Sequence, residues 1–166
     1  MKKVKSFKLK VLHVVPTLKK DGAEVQLSEI FKKFNNVDID LFTFDLHEEG
    51  DSIYKNLKDI EVFYKSSLSI SYLYKIIKEN QYEIVHSHLP KADLIVGLLK
   101  LFNKNFFLHV TSVHAQYGKR DGESRVKYFF TNKIWKKTLN DSDGIIAISN
   151  KIKIWLIEEK KIDPNK

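Results

Sequence analysis

Short apolar runs alternate with stripes of helical period along nearly the whole chain, and this rhythm constrains the fold more than any other feature. Leu9-Lys10-Val11-Leu12-His13-Val14-Val15 is a Val-rich run closed by Pro16, as expected of a buried strand. Asp21 and Glu24 then stand at capping-box spacing with Gly22 in the turn. Ala23, Leu27, Ile30, Phe31 and Phe34 recur at the period of a helix that lays one face on a sheet. Residues 37–44, 60–64 and 83–86 read as three further strands. Between the last two, a helix capped by Ser69 carries Ile70, Leu73, Ile76 and Ile77. Pro90 opens a helix running to Phe102 that is apolar on most sides and therefore deeply packed. A fifth strand is predicted over 106–113, and a helix over 125–139 with Val126, Phe129, Phe130 and Ile134 inward. Residues 144–148 form a sixth strand, after which Ser149 caps a last helix with Ile152, Trp155 and Leu156 on one face.

Strands alternating with helices predict an α/β fold: a Rossmann-like, doubly wound parallel sheet of about six strands with helices on both faces. Neither an internal repeat nor a low-complexity linker interrupts the pattern, so residues 1–166 are expected to form a single domain. That length can bury a core without staples. The absence of cysteine excludes disulfides, thiolate metal sites and cysteine nucleophiles. The first ten residues are basic and lack the apolar core of a signal peptide. The most apolar stretch, 94–102, is short for a membrane span and broken by Lys100. A cytoplasmic protein is expected.

A formal net charge of +8 favours anionic partners in general. Lysine is spread end to end and arginine occurs only at Arg120 and Arg125, which is unlike the clustered, arginine-rich footprint of a nucleic-acid binder. Nucleic acid is therefore not expected as a partner. Lys133, Lys136 and Lys137 share a helix face with Arg125 upstream, a pattern that suits either a solvated face or an anionic membrane surface.

In this fold class, ligands bind beyond the carboxyl ends of the strands, at the switch point of the sheet. Residues 17–22, 86–91 and 111–118 are the strand exits that should line that crevice. The first exit runs into a helix start, where free amides and the helix dipole suit a phosphate, and Lys19 and Lys20 add charge. It is neither a G-x-G-x-x-G nor a Walker loop, and an ordinary capped helix start explains it equally well. His86 and His88 share a strand face if extension persists, and hydrogen bonding to a polar ligand or strand-end structure suits them. Two histidines could also ligate a metal, but no partner carboxylate stands at an obvious ligand spacing, so this use ranks last of the three and no metal site is assigned. His114, at the exit of the fifth strand, suits a general base, a partner for a ligand hydroxyl, or a loop histidine satisfied by backbone. His109 is expected to be packed, His13 is ambiguous and His47 is expected at the surface. Asp38-Asp40 and Asp141-Asp143 lie mid-strand and in a turn, away from any ligand-facing strand end, so neither Asp-x-Asp pair suits a metal–diphosphate site.

The same segments carry a resemblance. Residues 10–17, Gly22-Ala23-Glu24, residues 83–88, Thr111-Ser112-Val113-His114 and residues 143–149 together resemble the retaining family 4 glycosyltransferases of GT-B architecture. The resemblance implies the N-terminal, acceptor-side half of a two-domain enzyme. Such an enzyme transfers a sugar from a UDP- or GDP-sugar to a glycan or lipid-linked acceptor, with retention, by front-face attack without a metal or other cofactor. Carried onto this chain, it places Gly22 by the donor diphosphate, His114 beside the transferred sugar and His86 or His88 in the cleft. Thr17, Lys19, Lys20, Glu24 and Lys91 fall on the same binding surface. The family's first loop carries consecutive glycines, whereas Lys19-Lys20-Asp21 here precede a single Gly22. The donor-binding C-terminal domain, with its paired glutamates, is expected as a separate partner domain or subunit. A cytoplasmic location, peripheral at the inner face of the plasma membrane if the lysine face binds it, is expected; a non-catalytic glycan- or phospholipid-binding module and a small nucleotide-binding regulator stand as alternatives.

Overall fold

The computed structural model describes residues 8–34, 36–47, 51–57, 59–65, 70–118 and 122–166. The predicted cap Ser69 and the basic residues 1–7 lie outside them, as does Arg120. The described residues form one six-stranded sheet in the order β3-β2-β1-β4-β5-β6, every neighbouring pair parallel. The strands are β1 (Leu9–Val15), β2 (Val37–Thr43), β3 (Glu61–Tyr64), β4 (Ile84–His88), β5 (Leu108–Val113) and β6 (Gly144–Ala147). They alternate with α1 (Gly22–Phe31), α2 (Ile70–Asn80), α3 (Leu89–Phe102), α4 (Arg125–Asn140) and α5 (Asn150–Glu158). A 3₁₀ turn at Tyr54–Asn56 has no counterpart in the sequence reading. The order reverses between β1 and β4, which is the switch point where ligands collect in such sheets.

Strand alternation sends each residue set to its own layer. Leu12 and Val14 of β1, Phe42 of β2 and Val85 of β4 meet Leu73, Ile76 and Ile77 of α2 and Ala92, Ile95, Val96 and Leu99 of α3. On the opposite face, Val15 and Leu41 meet Leu27 and Phe31 of α1. A third cluster joins Val113, Ile145 and Ala147 to Trp135 and Leu139 of α4 and Trp155 of α5. At the crossing of α3 and α4 a Cβ on Gly97 would lie 2.3 Å from Cβ of Thr138, so only glycine permits that approach. The α5 expectation holds in detail: Ser149 Oγ accepts from the Ile152 amide, and Ile152, Trp155 and Leu156 are buried.

Three expectations are corrected. Ile30 and Phe34, predicted to face the sheet with Leu27 and Phe31, are exposed. The capping pair is incomplete, because the Asp21 carboxylate accepts from the Gly22 amide. The predicted inward face of α4 points outward: Val126, Phe129, Phe130 and Ile134 are 65%, 61%, 58% and 44% exposed. Trp135, Thr138 and Leu139 face the core instead. The helix is apolar on two sides, and the tryptophan side wins because it carries a hydrogen bond into the core as well as area.

Candidate functional site

Alternation along β1, β4 and β5 places His13, His86, His88 and Ser112 on one sheet face, and His114 follows β5 by one residue. Parallel register sets His13 opposite His86 and His88 opposite Ser112. His13 Nδ1 lies 2.9 Å from His88 Nε2, and His88 Nδ1 lies 3.2 Å from His114 Nε2. His86 Nε2 pairs with Ser112 Oγ at 2.8 Å. The His86 and His88 rings stack with centroids 4.3 Å apart, while Phe31 of α1 meets His13 edge-on at 4.8 Å. Helix α1 leaves much of this face open. The histidines sit in a groove of about 510 Å³ whose apolar walls include Ile30, Phe34, Ile84, Val110, Ile146 and Ile148.

Burial sets the chemistry of the rings. It holds His13 and His88 well below the ordinary histidine value, with His86 adding to the effect on both. His86 falls to about 4 through burial and its proximity to His114, and burial alone lowers His114. Neutral imidazoles each present one donor and one acceptor, so the contacts from His13 through His88 to His114 form a tautomer-ordered chain. Leu89, between His88 and Pro90, sits at φ 72°, a left-handed conformation costing roughly 1–2 kcal/mol for an L side chain. Strain of this kind gathers at functional strand ends.

Behind the site lies a second polar network. Asp93 of α3 is fully buried and accepts from Ser87 Oγ at 2.7 Å, Thr111 Oγ1 at 2.5 Å and Trp135 Nε1 at 3.0 Å. One carboxylate thus ties β4, β5, α3 and α4 together. Burial raises its pKa to about 6, against the opposing pull of those three donors. Because Ser87 donates to Asp93, its oxygen accepts from His109 Nε2, 2.9 Å away, leaving the buried His109 Nδ1 without a partner. Asp143 accepts from Lys100 Nζ and the His109 amide, which outweigh the effect of its burial and lower its pKa.

The other predicted site residues divide. His86, His88 and His114 are brought together, but β4 runs two residues beyond its predicted end at His86, so His86 lies mid-strand and only His88 and His114 stand at strand exits. Thr17 Oγ1 donates to Asp45 and accepts from the Lys19 amide, Lys19 bridges Ser52, and Lys20 ion-pairs with Asp51 at 3.6 Å. The Gly22 amide is engaged by the Asp21 carboxylate at 2.8 Å, so an anion approaching this helix start meets a negative group. Glu24 is buried, which raises its carboxyl pKa. Lys91 is exposed on the first turn of α3 with its ammonium 5.3 Å from the Phe44 ring centre. Arg125 and Lys133 are exposed on α4, Lys136 is half-buried and Lys137 pairs with Asp141 at 2.9 Å. Sequence reasoning missed Asp93, Ser112 and the participation of His13. The available signal for Asp93 was a lone carboxylate among Ala92, Leu94, Ile95 and Val96.

The decisive comparison is a family model. The model for Glycosyltransferase Family 4 matches residues 20–166. The chain belongs to that family. No curated protein matches its sequence. Among solved structures, Anabaena HepE in complex with UDP superposes with a TM-score of 0.69 at 17% identity, over 95% of this chain and 42% of that one. The lipopolysaccharide outer core galactosyltransferase WaaB, in its apo form, gives 0.66 at 15% identity, over 95% and 44%. A UDP-N-acetylglucosamine 2-epimerase gives 0.62 at 18% identity, over 92% and 45%. The fold is therefore the Rossmann-like α/β fold of GT-B glycosyltransferases, and the chain spans less than half the length of these proteins. Among the described residues no helix is long and apolar enough to cross a membrane.

Proposed function

We propose that this chain supplies the acceptor-side wall of a retaining glycosyltransferase that moves a sugar from a nucleotide-sugar to a glycan or lipid-linked acceptor. Membership of family 4 over residues 20–166 carries the reading. The convergence of His88 and His114 at the exits of β4 and β5 supports the location of the cleft. His114 shapes the sugar site, and His88 holds the imidazole of His114 in place. Lys91 and the loop from Thr17 to Glu24 follow the exits of β4 and β1 and would meet the substrate there. A UDP-sugar is the favoured donor over a GDP-sugar, since HepE was solved with UDP and with UDP and glucose. The Asp21 carboxylate at the start of α1 argues that most of the grip on the diphosphate comes from a partner donor-binding domain. Closing that domain over the strand exits would also exclude water from the reacting sugar.

A second feature bears on location. The outward face of α4 combines Val126, Phe129, Phe130 and Ile134 with Arg125, Lys133 and Lys137, the composition of a helix lying in an anionic membrane interface. It supports a peripheral position at the cytoplasmic face of a membrane, where a lipid-linked acceptor would be met.

Nucleotide-sugar turnover by the chain, alone and mixed with a family 4 donor-binding domain, tests the reading. Transfer by the mixture and none by either part is expected. Folded parts that bind each other yet yield no transfer would count against it.

A further inference from the structure

We propose that His13, His86 and His88 form a binding site for a borderline transition-metal dication of the zinc, cobalt or nickel type. Each ring offers one nitrogen, and the three nitrogens lie within 4.8 Å of one another. Tetrahedral zinc with metal–nitrogen bonds of about 2.0–2.1 Å needs nitrogens about 3.3 Å apart. His13 Nδ1 and His88 Nε2, now 2.9 Å apart, need only part slightly, and the His86 ring, stacked on His88 with centroids 4.3 Å apart, supplies the third nitrogen.

The placement favours a real site. All three rings project from adjacent central strands whose register fixes His13 against His86, and sites built on strands hold geometry better than loops do. Ligand chemistry selects the ion: imidazoles without a carboxylate suit zinc, nickel or copper over magnesium or calcium. The chain has no cysteine to compete for it. Two outer partners are already in place, Ser112 on His86 and His114 on His88, and such partners fix the tautomer of a ligating imidazole. A donor hydrogen bond from His88 Nδ1–H to His114 Nε2 leaves His88 Nε2 bare for the metal. His13 then moves its proton from Nδ1 to Nε2, so binding releases none. This inference does not rest on sugar transfer.

Titration of the purified full chain with Co²⁺, followed by visible absorption and by competition with Zn²⁺, tests it. Saturation at one equivalent is expected, with the spectrum of a low-coordinate, nitrogen-ligated cobalt ion. Replacement of His13 or of His88 by Ala should weaken binding by at least about tenfold, or 1.4 kcal/mol, and His47→Ala should leave it unchanged. Because a buried substitution can disturb folding, imidazole ¹⁵N shifts of the unaltered chain give a second readout. Zn²⁺ should move the His13, His86 and His88 nitrogens and leave His47 and His109 in place. Absence of saturable binding overturns the proposal, and so does binding that follows His47 or moves a different set of rings.

Discussion

Single residues set the precision of this site, and Asp93 shows how. Its carboxylate receives three donors from three different elements, so removing it orphans Ser87, Thr111 and Trp135 at once. Buried donors left unpaired cost about 1–3 kcal/mol each. Asp93→Ala should lower stability by about 3 kcal/mol or more, read from urea unfolding, and should loosen the packing of α4 in near-UV circular dichroism. A change below about 1 kcal/mol would show that the network does not hold α4. Part of the site at this scale was legible, because His88 and His114 stand at the exits of β4 and β5 and topology dictates where those exits gather, while His86 shares a strand face with His88 at a spacing of two. Their partners were not legible. His13 and His88 are separated by 75 positions, and only the parallel register of β1 against β4 brings them within hydrogen-bond reach.

Elements carry the next level of information, and here periodicity succeeded or failed for identifiable reasons. Helix α5 shows one apolar stripe and one capping serine, so its inward face could be read directly. Helix α4 shows two apolar stripes, and counting hydrophobes cannot choose between them. The choice was made by the indole of Trp135, which reaches Asp93, and by Thr138, which lies against Gly97. The rejected stripe, with Phe129 and Phe130 exposed, then becomes the surface most in need of a partner. The chain should sediment with vesicles containing anionic lipid and not with neutral ones, and added salt should weaken the association. Phe129→Ala combined with Phe130→Ala should reduce the bound fraction several-fold while leaving thermal stability nearly unchanged, since both side chains are largely in solvent. Equal binding to neutral and anionic vesicles, or none to either, would remove the membrane from the account.

Across the whole molecule, the buried histidines make stability depend on pH. In the unfolded chain each imidazole takes a proton below about 6.5, whereas His86 and His109 stay neutral in the fold down to about 4. His13 and His88 are also held low. Their contribution is therefore complete above the unfolded value and lost as pH falls toward 4. Asp93 has the opposite sign. Its folded carboxyl titrates at about 6, so its contribution is present below the unfolded value near 3.8 and lost as pH rises through 6. Near pH 5 the buried histidines outnumber Asp93, so the unfolded chain holds more protons than the folded one and stability should fall as pH drops from 7 to 5. Urea midpoints at pH 7, 6 and 5 check this, and a flat profile would mean the rings are not buried as described. The α/β architecture and its six strands were legible from the alternation of runs and stripes, and family 4 membership agrees with them. Under the proposed function the strand exits form a transfer site. The most direct measurement is sugar transfer by the chain reconstituted with a donor-binding domain, comparing the native protein with His114→Ala. A loss of about 100-fold or more in turnover is expected, with folding and domain association unchanged. Equal turnover by the two proteins would contradict it.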